Sequence, residues 1–573
     1  MKILSLHTDY IKFKPLKKAI KGIEELSDIE KEERTVENAL TIMTAVEKHD
    51  TNVTEVVEKL VKEILDIAKQ VNASNIVLYP YAHLSSNLAA PNIAQEVLIG
   101  TEKALNLIKG LNITRAPFGY YKEFEMKVKG HPLSELSREI NQEAVGKIIK
   151  GTDETYDAKF LLNEISKSKL DRTKLKENDH RILGMQMDLY SFSETAPGMV
   201  FWHNNGLIIR NELINFWREL HKNRNYQEIK TPQILDKRLW QISGHWEKYK
   251  ENIFLTKYED REFAVKPMNC PGGMLVYKNS PKSYKEFPLR VAELGEVHRQ
   301  ELSGVLGGLF RVIQFTQDDA HIFCTEKQIE EEIFGIMDLI DLVYKKFGFN
   351  YRVELSTRPE KRIGDEKLWD MAEAALQKVL EKRKIKFKIN KGDGAFYGPK
   401  IDFHLTDSLG REWQCGTIQL DMAMPERFEL EYTDSDNTRK RPVMLHRTVY
   451  GSLERFIGIL IEHFNGRLPT WLAPIQVRIL SFTDRNIDFS KKVLAEIKKS
   501  IPNSRIDSDF NQTTIQSKVK SAEEMKVPYI ITLGDKEEKS NNLAIRTRGK
   551  KELEQMSLKD FISKLKEEIE SRH

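Results

Sequence analysis

A long polar segment divides this chain. Residues from about 146 to 178 are rich in Lys, Glu, Asp, Ser and Thr, and they run into KSKLDRTKLKENDHR, which has little apolar content. Such a stretch cannot bury enough apolar surface to offset the entropy of ordering it, so it reads as a linker or an exposed helix. At 573 residues the chain is also too long for one core; about three or four domains are expected. No apolar run approaches the roughly 18 residues a membrane span needs. FIGILI at 456–461 is among the longest, so no membrane partner is expected. MKILSLHTDY lacks the features of a secretory signal and reads as a first strand. With three cysteines (Cys270, Cys324, Cys415), a disulfide framework is not expected, and a reducing, cytoplasmic setting is. A net charge of +4 does not by itself predict nucleic acid; local basic surfaces would be needed.

On either side of the polar segment the patterning is that of folded α/β units. In residues 1–145, β-like runs (ILSL, NIVLYPY, FEMKV) flank VTEVVEKLVKEILDIAKQV, whose apolar residues fall at helical spacing. Residues 179–472 carry the cysteines, most of the tryptophans and Gly-rich turns. From 473 to 573 the order is VRILSF, a helix through VLAEIKKSI, PYIITLGD, LAIRTR and a final amphipathic helix. That alternation predicts a small α/β domain with a partly parallel sheet.

Within 179–472, LIIRNELINFWRELHKNR predicts a long helix, followed by a strand and Pro232. By itself this is a common structural pattern. The segment LRVAELGEVHRQELSGVLGGLFRVIQFTQDDAHIFC at 289–324 says more. It reads as a hairpin whose loop carries Gly304, Gly307 and Gly308. Alternate strand residues share a face, which would group Arg299 with Glu301, and Arg311 with Ile313, Phe315, Gln317 and Asp319. Guanidinium groups bind phosphate oxygens, a ring stacks on a base, and a carboxylate accepts from an exocyclic amine. Together these suit a nucleotide, although any one of them is equally a solvated strand residue. GSLERFIGILIEHF at 451–464 places Arg455 in the first turn of an apolar helix. That guanidinium either pairs locally or lies over a base as a cation–π partner.

These three stretches resemble motifs 1, 2 and 3 of class II aminoacyl-tRNA synthetases. KPMNCPGGM, FTQDDAHIFC, GAFYGPKID, WQCGTIQLD and VMLHRTVYGSLERF are similar to the threonyl-tRNA synthetase family in particular, over residues 180–573. The resemblance implies an antiparallel-sheet catalytic core, ATP with Mg²⁺, threonine and tRNA(Thr) as partners, and a homodimer built on motif 1. Arg299 would hold the α-phosphate, Glu301 the adenine amine and Arg311 the terminal phosphates. Phe315 and Arg455 would sandwich the base. Attack of the threonine carboxylate on phosphorus needs no protein nucleophile, so catalysis would rest on positioning and electrostatics.

Cys270, His321 and His446 match the family's zinc ligands. Their spacing alone carries little weight, because a lone Cys or His is more often a core or surface residue. The resemblance also implies Asp319 for the substrate ammonium, Tyr397, Gln414 and Thr417 as pocket residues, and Lys400 as an active-site cation. Three protein ligands leave zinc an open position for a hydroxyl, which valine lacks. Serine has the hydroxyl, and its missing methyl is worth only about 1–3 kcal/mol in a pocket. A second, hydrolytic site is therefore expected.

IVLYPYAHLSSNLA (76–89) and RAPFGYYKEFEMKVKGHPLSEL (115–136) resemble the archaeal-type editing domain, which shares its fold with D-aminoacyl-tRNA deacylases. The matching positions are His83, Tyr121, Lys122 and Glu135, with Tyr120 beside them. Residues 1–145 contain no cysteine, which departs from the bacterial-type editing site. In IRTRGKK at 545–551, four of seven residues are basic. Such a cluster is usually a solvated face; on this domain it reads as an RNA contact. The resemblance assigns Glu537 and Arg546 to the anticodon. A synthetase-like protein without catalysis and another class II synthetase, prolyl or seryl, stand as the alternatives.

Overall fold

VTEVVEKLVKEILDIAKQV forms the expected helix, α1 (Val53–Val71). The Asn52 side chain accepts the Glu55 N–H at its start, and Asn72 ends it in the left-handed conformation. Val56, Leu60, Ile64 and Ile67 form its buried stripe. In a computed structural model, residues 1–140 are described except 21, 22, 24, 49, 51, 86 and 132, together with residues 162 and 175–572. The polar 146–178 segment, expected to be a linker, lies outside the described residues apart from Leu162 and 175–178. The chain divides into two units, Met1–Thr155 and Tyr156–His573.

In the first unit, α1 and α2 (Pro91–Asn106) accompany a sheet of six strands: β1 (Lys2–Lys18), β2 (Arg34–Ala45), β3 (Asn75–Pro80), β4 (Asn112–Arg115), β5 (Tyr120–Val128) and β6 (Glu135–Glu139). The order is β4-β3-β2-β1-β5, with β6 pairing along the first residues of β1. Sequence patterning finds β1, β3 and β5 but not β2. The second half of β2 is buried on both faces, so it lacks the period-two alternation of a half-exposed strand.

In the second unit, an eight-stranded sheet is built from β7 (Gln227–Glu228), β8 (Leu289–His298), β9 (Gln314–Cys324), β10 (Asn350–Ser356), β11 (Phe387–Asn390), β12 (Lys400–Thr406), β13 (Glu412–Asp421) and β14 (Val443–Thr448). The order is β11-β10-β12-β13-β14-β9-β8-β7, antiparallel except at its two edges. The expected long helix is α3 (Asn204–Lys222), with Ile209, Leu213, Phe216 and Trp217 buried. The motif 3 helix is α4 (Leu453–His463), apolar on nearly every side and correspondingly buried.

The C-terminal residues form a five-stranded sheet: β15 (Val477–Ser481), β16 (Ile506–Asp509), β17 (Tyr529–Leu533), β18 (Asn542–Thr547) and β19 (Leu553–Ser557). β16, β15 and β17 are parallel, and β18 and β19 continue antiparallel, matching the expected partly parallel sheet. β16 escaped the sequence reading because IDSD is short and polar; a paired Arg478 and Asp507 join it to β15. Arg505 ties this part to the core. It donates to the Trp471 and Ala473 carbonyls at 2.6 and 2.9 Å and pairs with Glu212 at 2.8 Å. Among the described residues no helix is long and apolar enough to cross a membrane.

Glu462, 3% exposed, closes the end of α4. One oxygen accepts the His180 backbone N–H at 2.9 Å and lies 2.7 Å from that ring's Nδ1; the other meets Arg411 at 2.6 Å. Glu462→Ala leaves the buried His180 N–H and ring without their acceptor, while Arg411, partly exposed, keeps Asp407. The change should cost about 1–3 kcal/mol. The check is the urea midpoint of tryptophan fluorescence, with Glu462→Gln recovering part of the loss.

Candidate active site and metal centre

The hairpin forms as expected, with β8 and β9 in register from Leu289↔Phe323 to His298↔Gln314. The Arg299 N–H bonds to the Ile313 carbonyl at 2.9 Å and extends the ladder one step. There the strands end. Short turns at Ser303–Val305 and Gly308–Phe310 take over, so Glu301, Arg311 and Ile313 lie on a loop and not on strand faces. Glycine is required at 308, where φ is +58° and a Cβ would sit 2.2 Å from His180 Nε2. The alternation argument therefore holds for Phe315, Gln317 and Asp319 only.

Arg299, Glu301, Arg311, Phe315 and Arg455 nevertheless line one open cleft of about 770 Å³. The Arg299 guanidinium lies over the Phe315 ring at 5.2 Å and donates to the Pro267 carbonyl. Arg311 pairs with Glu301 at 2.9 Å, and Arg455 donates to the Phe310 carbonyl at 3.0 Å. Asp318 and Asp319 divide by alternation along β9. Asp318 points inward and accepts the Val449 and Gly451 N–H groups at 2.9 Å each, clamping the hairpin to the start of α4; burial pushes its carboxyl up to about 7. Asp319 faces the cleft.

Cys270 opens the helix Cys270–Lys278, while His321 on β9 stands opposite His446 on β14. One ligand atom from each of the three lies within 4.8 Å of the others. All are buried, and His321 Nε2 has no hydrogen-bond partner among the described residues. Burial lowers His321 to about 4, favouring the neutral imidazole that ligates metals. Burial raises the Cys270 thiol, with Asp319 and Asp421 adding to the shift. A thiol, two imidazoles and an orphaned buried nitrogen fit a tetrahedral zinc site that keeps one open position.

Lys400, Gln414 and Thr417 also line the cleft, and a residue the sequence reading missed holds them together. Asp402, 1% exposed, lies 2.9 Å from Lys400 Nζ and accepts from Gln414 at 2.6 Å, Thr417 at 3.0 Å and Ser356 at 2.7 Å. Asp402 sits among the polar residues of the alternating run KIDFHLT, so nothing in the linear pattern marks it as buried and shared. Asn269 was missed too; its amide donates to Asp319 at 3.2 Å. Tyr397 donates to Gln419 at 2.5 Å and lies tilted against the His446 ring at 4.9 Å.

In the first unit, Lys122 Nζ donates to the Pro117 and Tyr120 carbonyls at 2.8 and 3.1 Å, over the Tyr79 ring. Burial lowers its pKa to about 8. His83, on the turn Ala82–Leu84, packs edge-on against Tyr81, and Tyr79 and Tyr81 both meet Phe124. This aromatic wall was not singled out, though two of its members stand in the quoted LYPY run. Tyr121 is exposed, with Lys17 over its ring. Glu135 stands at another station of β1, opposite Leu6, whereas Lys122 is opposite Pro15.

In the C-terminal sheet, Arg546 is half-exposed on β18, 3.8 Å from Glu523. Glu537 accepts the Gly534 N–H at 3.1 Å. The basic cluster is smaller than its sequence implies. Arg548 is spent on the carbonyls of Lys526, Arg467 and Leu468, and burial lowers its pKa to about 10. Its role is to hold this sheet to the end of the core.

Comparison with known proteins places all three parts. The class II tRNA synthetase core domain (G, H, P, S and T) matches residues 253–464, the archaea-specific editing domain of threonyl-tRNA synthetase matches 1–140, and an anticodon-binding domain matches 476–568. Threonine–tRNA ligases of Desulforamulus reducens and Clostridium botulinum are 52% and 55% identical over 397 and 394 residues, 69% of this chain. The chain spans 62% of the length of these relatives. The crystal structure of the RNA-binding domain of threonyl-tRNA synthetase from Cryptosporidium parvum is 39% identical with a TM-score of 0.66, covering 68% of this chain and 98% of that one. ThrRS-1 of Aeropyrum pernix is 29% identical with a TM-score of 0.60, covering 69% and 96%. The chain belongs to the threonyl-tRNA synthetase family, with a class II catalytic core, an archaeal-type editing domain and an anticodon-binding domain.

Proposed function

We propose that the chain is a threonine–tRNA ligase that activates L-threonine with ATP and Mg²⁺, transfers it to tRNA(Thr) and hydrolyses mischarged seryl-tRNA(Thr). The observation that carries this reading is the meeting of Cys270, His321 and His446 at the cleft that Arg299, Arg311, Phe315 and Arg455 also line. Amino-acid selection and nucleotide binding then share one space.

In this reading Arg299 holds the α-phosphate as negative charge builds there, and Arg311 leaves Glu301 for the terminal phosphates. Glu301 is then released to meet the adenine amine between Phe315 and Arg455. Asp319, held by Asn269, takes the threonine ammonium, and Tyr397, Gln414, Thr417 and Lys400 bound the pocket. A threonine carboxylate oxygen bonds to the α-phosphorus as the bond to pyrophosphate breaks. The gain comes from pre-set donors around the developing charge. Cys270, His321 and His446 would hold zinc, which when bound supplies an open coordination position that distinguishes threonine from valine.

Editing falls to residues 1–145. Lys122, held by two backbone carbonyls, would orient or polarise the seryl ester, with His83, Tyr121 and Glu135 binding the substrate and the terminal ribose hydroxyl assisting. Residues 473–573 would read the anticodon through Arg546 and Glu537. The exposed apolar side chains Met185, Phe192, Phe201 and Leu207 support a homodimer on the motif 1 side.

His321→Ala should lose bound zinc and threonine-dependent ATP–pyrophosphate exchange together; full exchange by a metal-free variant would contradict the reading. Exchange driven by proline or serine in place of threonine would point to another synthetase. Lys122 is depressed from 10.5 to about 8, so the unfolded chain binds the extra proton between those values. This group's contribution to stability therefore rises with pH across that window and is lost as pH falls through about 8. If its ammonium serves editing, seryl-tRNA(Thr) deacylation should decline above about pH 8, and Lys122→Met should abolish that limb with most of the rate. Arg546→Ala should raise KM for tRNA several-fold and leave amino-acid activation unchanged. Equal loss of both would remove Arg546 from RNA binding.

A further inference from the structure

Asp421 ends β13 with no exposed surface, and its two oxygens do different work. Oδ1 accepts the backbone N–H groups of Ala423 and Met424, each at 2.9 Å, starting the short helix Ala423–Arg427. Oδ2 lies 2.8 Å from Nε2 of His446. A carboxylate offers acceptors, whereas a neutral imidazole has one donor nitrogen and one acceptor nitrogen. The contact therefore requires the His446 proton on Nε2, and the lone pair falls to Nδ1. With Nε2 engaged, Nδ1 is the atom left to join Cys270 and His321. On His321 the nitrogen left open is Nε2, which is buried without a hydrogen-bond partner among the described residues.

We infer that Asp421 is a positioning residue for the metal centre: it selects the His446 tautomer that presents Nδ1 to zinc and holds the ring plane. This rests on the reading of Cys270, His321 and His446 as zinc ligands. An outer carboxylate of this kind is typically worth 10- to 100-fold in metal affinity.

Asp421→Asn separates this role from helix capping. The amide oxygen must keep serving the Ala423 and Met424 N–H groups, which turns the NH₂ toward His446. An NH₂ donor demands Nε2 as acceptor and moves the ring proton to Nδ1, where it blocks the ligand position. The opposite amide orientation restores the His446 contact but aims the NH₂ at two backbone donors. Asp421→Ser retains a short capping oxygen and leaves His446 free to adopt either tautomer.

The test uses the full-length chain, titrated with zinc against a chromophoric chelator, with thermal midpoints measured on the metal-free protein. The expected order of zinc affinity is wild type, then Asp421→Ser, then Asp421→Asn, the last weaker than wild type by about 10- to 100-fold. The metal-free midpoint of Asp421→Asn should be no lower than that of Asp421→Ser. Asn affinity within twofold of wild type, or affinities that simply follow the midpoints, would overturn the inference. Should Asp421→Asn fail to fold, an Asp421→Ser affinity equal to wild type would overturn it instead. Wild-type protein that binds no zinc at all would sink the underlying site reading, a separable failure.

Discussion

The register of three antiparallel strands is the constraint on which the catalytic half depends. β9 pairs with β14 so that His321 faces His446, and β14 pairs with β13 so that His446 also faces Gln419, two residues before Asp421. A slip of one residue would send each of these side chains to the opposite face of the sheet. The same pairing sends Asp318 inward to clamp the start of α4 and leaves Asp319 in the cleft. His321, His446 and Asp319 are thus placed by one ladder of backbone hydrogen bonds.

Around that ladder, several buried carboxylates serve more than one partner. Asp402 gathers Lys400, Gln414, Thr417 and Ser356; Glu462 gathers His180 and Arg411; Asp421 gathers a helix start and His446. A buried carboxylate is costly without such partners. Each hub therefore links strands and helices that are distant in sequence, and a change at one is felt at several site residues. Lys266 and Glu293, paired at 2.9 Å and both almost fully buried, share the Thr231 hydroxyl in the same way.

Legibility in the sequence followed local periodicity. α1, α3 and α4 were readable because their apolar residues recur at helical spacing over eleven or more residues. β8 and β9 were readable from Gly-punctuated apolar runs. β2 was not, because burial on both faces erases alternation, and β16 was not, because a four-residue polar strand has no period to find. At the site, Arg299, Arg311, Phe315 and Arg455 were legible as residue types suited to a nucleotide. Glu301 and Arg311 were placed on strands, whereas glycine-enabled turns carry them. Arg548 was counted as free basic surface, whereas three backbone carbonyls hold it. Asp402 and Asn269 went unread because nothing in a linear pattern marks which buried polar group will be shared.

By itself the sequence determined a polar break flanked by α/β patterning, the helices and main strands, the residue types a nucleotide site needs, and the motifs that resemble a family. These are properties of residues near one another along the chain, where spacing and propensity act. Only the tertiary structure decided that Cys270, His321 and His446 meet, that Asp421 stands behind one of them, and which of the paired aspartates faces the cleft. Those outcomes depend on strand register and on the sharing of buried hydrogen bonds between distant segments, and neither leaves a period in the sequence.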